Sequence, residues 1–462
     1  MKESIFDKIK KQLTEHVHIA PLVVFRIIFG GMMLGSIVRF WLNGWIYDLY
    51  IKPEFHFTYY GFEWVKALGE TGMYMIFAAM GIAALFILLG LFYRFSAFVF
   101  FVSFTYVELI DKSNYLNHYY FISIVAFIMI LLPAGRFFSI DSYFNPVKRI
   151  THIPRWFITI IQLQLGMVYF FAGVAKLNPD WLFEAQPLKI WLQAHTDLPV
   201  IGPLMDKVWI AYFFSWFGAI YDLTIPFFLS FSRTRGLAYF FVIVFHILTR
   251  ILFQIGMFPY IMILATLIFF SEGFHLKVLS LFKKMLTFIK HPSYEDKKEY
   301  VFRSYVKPLF ISFVTIHFMI QFLIPFRYVL YPGKLFWTEQ GFRFSWRVML
   351  MEKAGKVFFH VKDKGTGRSG EIMMNNDLTA NQEKMMATQP DMILQYARFL
   401  KKRYKKEGMD VEIYAECYVT MNGSGSRLFI DKTVDLAAEE DSFRNKTWIL
   451  PFEEGLLDQS RN

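Results

Sequence analysis

The run FITIIQLQLGMVYFFAGVAKLNPDW, residues 157–181, decides the fold class. Residues 157–175 hold no charged side chain, and a helix needs roughly 20 mostly apolar residues to cross a bilayer core. Lys176 ends the run, and Asn178-Pro179-Asp180 turns the chain away. Working outward, further runs of this kind lie at 20–43, 73–93, 95–110, 119–134, 208–231, 236–254, 257–271 and 309–325. Pieces such as 96–110 and 256–270 are short for a full crossing, so the sequence predicts a polytopic α-helical membrane protein with seven to nine spans. Composition agrees: 19% of residues are charged, against about 25% in soluble domains. With 55 Phe, 25 Tyr and 11 Trp the chain has too much apolar surface to stay disordered. The single cysteine, Cys417, excludes a disulfide scaffold. Lys2, Lys8, Lys10 and Lys11 precede an apolar run from Ala20 that is too long for a cleavable leader.

Basic residues set the expected orientation. With the N-terminus inside, the inner segments hold those four lysines, Arg94, Arg136, Lys148, Arg149, Arg155, Arg233, Arg235 and the basic stretch 271–308. The opposite loops hold only Lys52, Lys66, Lys112, Lys176, Lys189 and Lys207. Lys and Arg collect on the cytoplasmic side, so the N-terminus is expected to be cytoplasmic. The same rule accounts for the net charge of +11 without a nucleic-acid partner, since no basic stripe interleaved with aromatics is present. With nine spans, the segment after 325 faces outward. The sequence therefore divides into a membrane domain, 1–325, and an extracytoplasmic α+β domain, 326–462. In the latter, 356–364, 367–375, 411–422 and 426–432 read as strands by partial alternation. Thr366-Gly367 and the Asn422-Gly-Ser-Gly stretch read as hairpin turns. Residues 391–408 read as an amphipathic helix closed by Gly408.

Ionisable residues in or beside spans are costly, so each is a candidate for function. Lys176 at the outer end of its span either snorkels to the interface or is an amine that an apolar surround keeps neutral, and so able to act as a base. His118, in the polar corner Asp111-Lys112-Ser113-Asn114 to Asn117, is either an interfacial histidine or a proton relay. His246 precedes Arg250 by one helical turn, a spacing that serves helix packing as readily as a site. Arg26 in the first span needs a partner, and Asp222 is a candidate for it. No HExxH, Walker loop, GxSxG or metal-ligand spacing is present, so no metal is predicted. A lysine and a histidine on one side, among many aromatics, suit a flat lipophilic ligand such as a quinone.

YFFAGVAKLNPDW (169–181) and DKSNYLNHYYFISIVAF (111–127) resemble catalytic segments of the vitamin K-dependent gamma-glutamyl carboxylase family, whose wider family is known as HTTM. APLVVFRIIFG (20–30), LLGLFYRFS (88–96), FHILTRILFQIGMFPYIM (245–262), FWTEQGFRFSWRVMLM (336–351), GRSGEI (367–372) and DMILQYARFL (391–400) extend the resemblance collinearly over nearly the whole chain. It implies that Lys176 deprotonates reduced vitamin K, phylloquinol or menaquinol, and that His118 assists with Asn117 beside it. It further implies reaction with O2 to a strong base and finally an epoxide, removal of a γ-proton from a glutamate of a protein or peptide substrate, and attack of the carbanion on CO2. His246, Trp181 and Trp346 are secondary candidates for the quinone chamber.

The departures from the family pattern are local. Animal members have two adjacent lysines where this chain has Ala175-Lys176, and an extracytoplasmic disulfide that a lone Cys417 cannot make. They also run on past position 462, which leaves propeptide-directed processivity without support. Gly341-Phe342 stands where the family has a leucine–tyrosine pair in its glutamate-binding segment. The resemblance is to a shorter, bacterial form in an inner membrane. The alternatives are a quinol epoxidase or oxidase that carboxylates no protein, and a non-catalytic quinone- or lipid-binding module or transporter.

Overall fold

A computed structural model describes residues 4–253, 255–285, 297–302 and 305–453. Part of the basic stretch 271–308 used for orientation, residues 286–296 and 303–304, lies outside the described residues. In chain order the apolar helices are α1 (Ala20–Leu42), α2 (Gly69–Leu89), α3 (Tyr93–Ile110), the shorter α4 (Asn117–Leu131), α5 (Trp156–Ala175), α6 (Val208–Ser230), α7 (Arg235–Leu252), α8 (Phe258–Ala265), α9 (Glu272–Met285) and α10 (Val306–Leu323). Among the described residues seven are long and apolar enough to cross a membrane, or eight if the bent pair α8–α9 is one span. The run 257–271, short for a full crossing by its sequence, is the piece that does not cross as one continuous helix. Its helix passes into a 3-10 turn, Thr266–Phe269, and the chain bends by 117° into α9. Glu272 and the basic residues of α9 explain why the apolar run cannot continue straight.

Two short antiparallel strands, β1 (His16–His18) and β2 (His152–Pro154), precede α1 and α5 and pair with each other. They start these helices side by side, so the far ends of α1 and α5 reach the same end of the bundle. The expected pairing of Arg26 with Asp222 does not form. Arg26 is 1% exposed and donates to Ala134 O at 3.2 Å and Phe138 O at 2.6 Å, in the turn after α4. The face of α1 that carries it looks toward that turn, and Asp222 is held elsewhere. The tightest approach relevant to the site is between α5 and α6. A Cβ on Gly173 would meet Leu223 N at 2.7 Å, so only glycine lets the two backbones come this close.

The C-terminal domain is an antiparallel sheet in the order β4-β3-β5-β6, with β3 (Lys353–Asp363), β4 (Ser369–Glu371), β5 (Val411–Met421) and β6 (Arg427–Leu428). The expected strands 356–364 and 411–422 are the long central pair, in register His360 with Tyr414. The expected strands 367–375 and 426–432 are shorter, because each lies at a sheet edge with one neighbour only and peels away. Val411, Ile413, Ala415, Cys417, Val419 and Met421 point to the buried face of β5, the period-two pattern of a half-buried strand. The short α11 (Ala380–Met386) and the amphipathic α12 (Pro390–Lys406) cover that face, α12 burying Met392, Ile393, Tyr396, Ala397 and Leu400. Burial pushes the Cys417 thiol up to about 12, so it is an inert core group.

Charged contacts clamp this domain onto the ends of α3 and α5. Asp391 accepts from Lys112 Nζ at 2.8 Å and from Arg343 Nη1 at 2.7 Å. Asp180 accepts from Lys334 at 3.0 Å and from Asn422 Nδ2 at 3.2 Å. Burial acts to raise the Asp391 carboxyl, but Arg343 and Lys112 outweigh it and hold the group well below the usual carboxylate range. A depressed native pKa means that the clamp's contribution is complete above the unfolded value of about 3.9 and is lost as pH falls through the native value. Asp391→Asn is expected to lower the unfolding temperature at pH 7 and to flatten the acid limb of the stability curve. Thermal unfolding from pH 7 to pH 2 checks this, with the difference expected below about pH 4, and an acid limb as steep as the wild type's would refute it.

Candidate active site

Lys176 caps the end of α5, and the sequence around it forces a second turn at once. Asn178 accepts from Trp181 N at 3.0 Å, and Pro179 opens the short helix Pro179–Leu182. This brings the Trp181 ring to 5.4 Å from Lys176 Nζ, while Trp181 Nε1 donates to Ser215 O at 2.8 Å. Lys176 does not snorkel. It is 6% exposed, and Nζ lies 2.6 Å from Asp222 Oδ2 of α6 and 3.3 Å from Ala172 O. The close α5–α6 approach makes this reach possible: a Cβ on Gly218 would stand 3.8 Å from Lys176 Cε.

This pair opens on an apolar cavity whose walls include Val168, Trp191, Phe217, Leu252 and Phe258. Besides the indoles of Trp181 and Trp191, its polar side chains are those of Lys176, Asp222, Tyr169, Thr249 and His246. His246 is fully enclosed, and Nε2 is 3.0 Å from Tyr169 Oη. Its Nδ1 is buried with no hydrogen-bond partner among the described residues. His246 thus lines the apolar chamber with one ring nitrogen left without a partner among the described residues, and a buried polar atom of this kind calls for a hydrogen-bonding group. Arg250, its expected companion on one face, is exposed.

A larger cavity of about 640 Å³ adjoins the first. Ile255, Phe258, Val348 and Met349 line both. His118, in the first turn of α4, faces this second cavity and is 8% exposed. The Phe258 ring touches His118 at 5.8 Å between centroids and His246 at 5.9 Å. Lys176 and His118 therefore stand on neighbouring chambers with a shared wall rather than in one. Asn117 lines the second cavity, but both ends of its amide are engaged: Nδ2 donates to Arg347 O at 2.7 Å, and Oδ1 accepts from Tyr115 Oη at 2.9 Å. It fixes the 345–349 segment to α4. Trp346 lines neither cavity; fully buried, it stacks on Tyr120 at 4.9 Å, behind the wall made by Val348 and Met349.

Gly341 has φ +85, and a Cβ there would meet Tyr328 Cα at 2.8 Å, so both conformation and space require glycine. Phe342 after it lines the second cavity. Two site groups escaped the sequence reading. Asp222 was placed with Arg26 instead of Lys176, and Arg39, which lines the second cavity, carried no motif. Glycines at 173 and 218 were the available signal for the first, since small residues mark where charged neighbours can meet across two helices.

Two family models match the chain. The HTTM domain covers residues 14–274, and the vitamin K-dependent gamma-carboxylase lumenal domain covers residues 306–455. No solved structure matches it. The first match spans the helices that carry Lys176, His118, Asp222 and His246, and the second spans the sheet clamped onto them. The chain is an integral membrane protein of the vitamin K-dependent gamma-glutamyl carboxylase family.

Proposed function

We propose that the protein carboxylates the γ-carbon of peptide glutamate in a reaction driven by reduced vitamin K, with O2 and CO2 as co-substrates. The observation that carries this reading is the Lys176–Asp222 pair, buried at 2.6 Å on an apolar chamber that His246 also lines. That chamber fits a flat quinol: Trp181, Phe217 and Phe258 would hold the ring, and His246 Nδ1 and Lys176 Nζ would meet its oxygens. When bound, reduced vitamin K supplies, with O2, the strong base that a γ-C–H requires. Lys176 Nζ takes the proton from a quinol hydroxyl. Asp222 holds Nζ in place and receives the proton that would otherwise keep it an ammonium. His246 and Tyr169 orient the ring. The apolar walls exclude water, which would quench both base and carbanion. His118 faces the neighbouring chamber, where the glutamyl side chain enters.

In this reading residues 1–325 form the membrane domain, with the N-terminus cytoplasmic, and residues 326–462 form the extracytoplasmic domain that presents the peptide. Phylloquinol and menaquinol share the ring that the chamber accepts, and a bacterial inner membrane suits the latter. The test uses purified protein in nanodiscs with reduced vitamin K, labelled bicarbonate and a glutamate-rich peptide. Epoxide and peptide-bound label are expected together. Epoxide without label would move the reading to a quinol epoxidase, which the Gly341-Phe342 departure in the glutamate-binding segment favours over other rivals. Neither product from folded protein would overturn the enzyme reading.

A further inference from the structure

The second cavity is unusually basic for a chamber at the end of a helix bundle. Arg39, Lys112, Arg343 and Arg347 line it, against Glu339 alone among carboxylates. Most of these charges are already committed. Lys112 and Arg343 share Asp391 at 2.8 and 2.7 Å. Glu339 is taken by the buried Lys353 at 3.0 Å. Arg347 lies over the Tyr328 ring at 4.5 Å and reaches toward Pro325 O at 3.4 Å. Arg39 is different. It stacks over Trp45 at 4.7 Å, and among the described residues no carboxylate lies within ion-pair distance of it. Its Nη2 would stand 3.9 Å from a Cβ on Gly256, in the turn whose flanking Ile255 and Phe258 line both cavities. An unpaired guanidinium therefore sits on the wall of the second chamber, close to its junction with the first.

We propose that Arg39 is the positioning residue that binds the side-chain carboxylate of the substrate glutamate in the second cavity, with the γ-carbon toward the chamber of Lys176. The proposal rests on the carboxylase reading for the identity of the substrate. A planar guanidinium recognises a carboxylate through two parallel hydrogen bonds, which fixes orientation as well as charge. Trp45 beneath the plane pre-organises it. An amide isostere gives up the charge and one acceptor, so the site should tell glutamate from glutamine.

The experiment measures binding of a fluorescent glutamate-containing peptide and of its glutamine counterpart to nanodisc-embedded protein without quinol. Wild type should bind the glutamate peptide tighter by about tenfold to a hundredfold, the scale of a hydrogen bond to a charged group. Arg39→Gln should erase the preference by weakening the glutamate peptide alone, and Arg39→Lys should restore part of it. Arg39→Met keeps the stem against Trp45 and serves if the Gln variant does not fold. In turnover, KM for the peptide should rise while quinol epoxidation persists. Wild-type protein that binds both peptides equally, or a folded Arg39→Gln or Arg39→Met variant that keeps the preference, would overturn the proposal. Absence of label from the wild type would instead count against the carboxylase reading, and the binding arm would still report on Arg39.

Discussion

Lys176→Ala is expected to remove epoxide formation and glutamate carboxylation together, by about a thousandfold or more, within the range general-base groups supply. No other amine lines the apolar cavity among the described residues, so nothing stands in for Nζ there. The loss should be in kcat, with quinol affinity kept by the aromatic walls. The variant also leaves Asp222 buried without its cation, and breaking a buried pair from one side costs about 3–5 kcal/mol. A fall in activity could then be ascribed to misfolding. The double variant Lys176→Met with Asp222→Leu separates the two, because replacing both partners with apolar groups of similar shape is often neutral for stability. It should unfold at or above the temperature of the wild type and remain inactive. Epoxide at more than a few per cent of the wild-type rate from either folded variant would exclude Lys176 as the base.

Much of this architecture follows from local pattern. A bilayer imposes a length on every apolar run, so spans such as 157–175 and 208–231 could be read within a few residues of α5 and α6. Alternation in 411–422 reported β5 because one face of that strand meets α12 and the other does not. Lys176 and His118 stood out through their motifs, and each lines a cavity. What was not legible is the rotation of one helix against another. Hydropathy does not say which face of α6 turns to α5, and Arg26 and Asp222 therefore looked like partners when each was satisfied elsewhere. The run 256–270 was legible as short for a full crossing, but the position of its bend after Phe269 was not, since a 3-10 turn and a helix share one composition. Trp346 looked like a chamber aromatic from its place in FWTEQGFRFSWRVMLM, yet its left-handed backbone at φ 57 turns the ring onto Tyr120, and the next residues line the cavities instead.

Asp222→Asn is the substitution that separates holding Lys176 from moving its proton, and it is expected to lower kcat by about a hundredfold. The amide keeps the shape and can still accept a hydrogen bond from Nζ, so the lysine should stay where it is. What the amide cannot do is take a proton. In the wild type the proton on Nζ can pass across 2.6 Å to Oδ2, leaving an amine beside a carboxylic acid, with no net charge entering or leaving the buried site. With asparagine the ammonium must lose its proton to solvent through an apolar chamber before it can act. The rate of Asp222→Asn should therefore climb with pH across a range in which the wild type is flat, while KM for quinol stays near the wild-type value. Epoxidation and carboxylation should fall in parallel, because both depend on the same first deprotonation. Asp222→Leu, which removes position and acceptor together, should lose more activity and also stability. A purely structural aspartate predicts another pattern: Asp222→Asn would show a pH profile parallel to the wild type's, and its deficit would track its loss of unfolding temperature. Quinol turnover by nanodisc-embedded variants from pH 6 to pH 10, read beside their thermal unfolding, decides between the two.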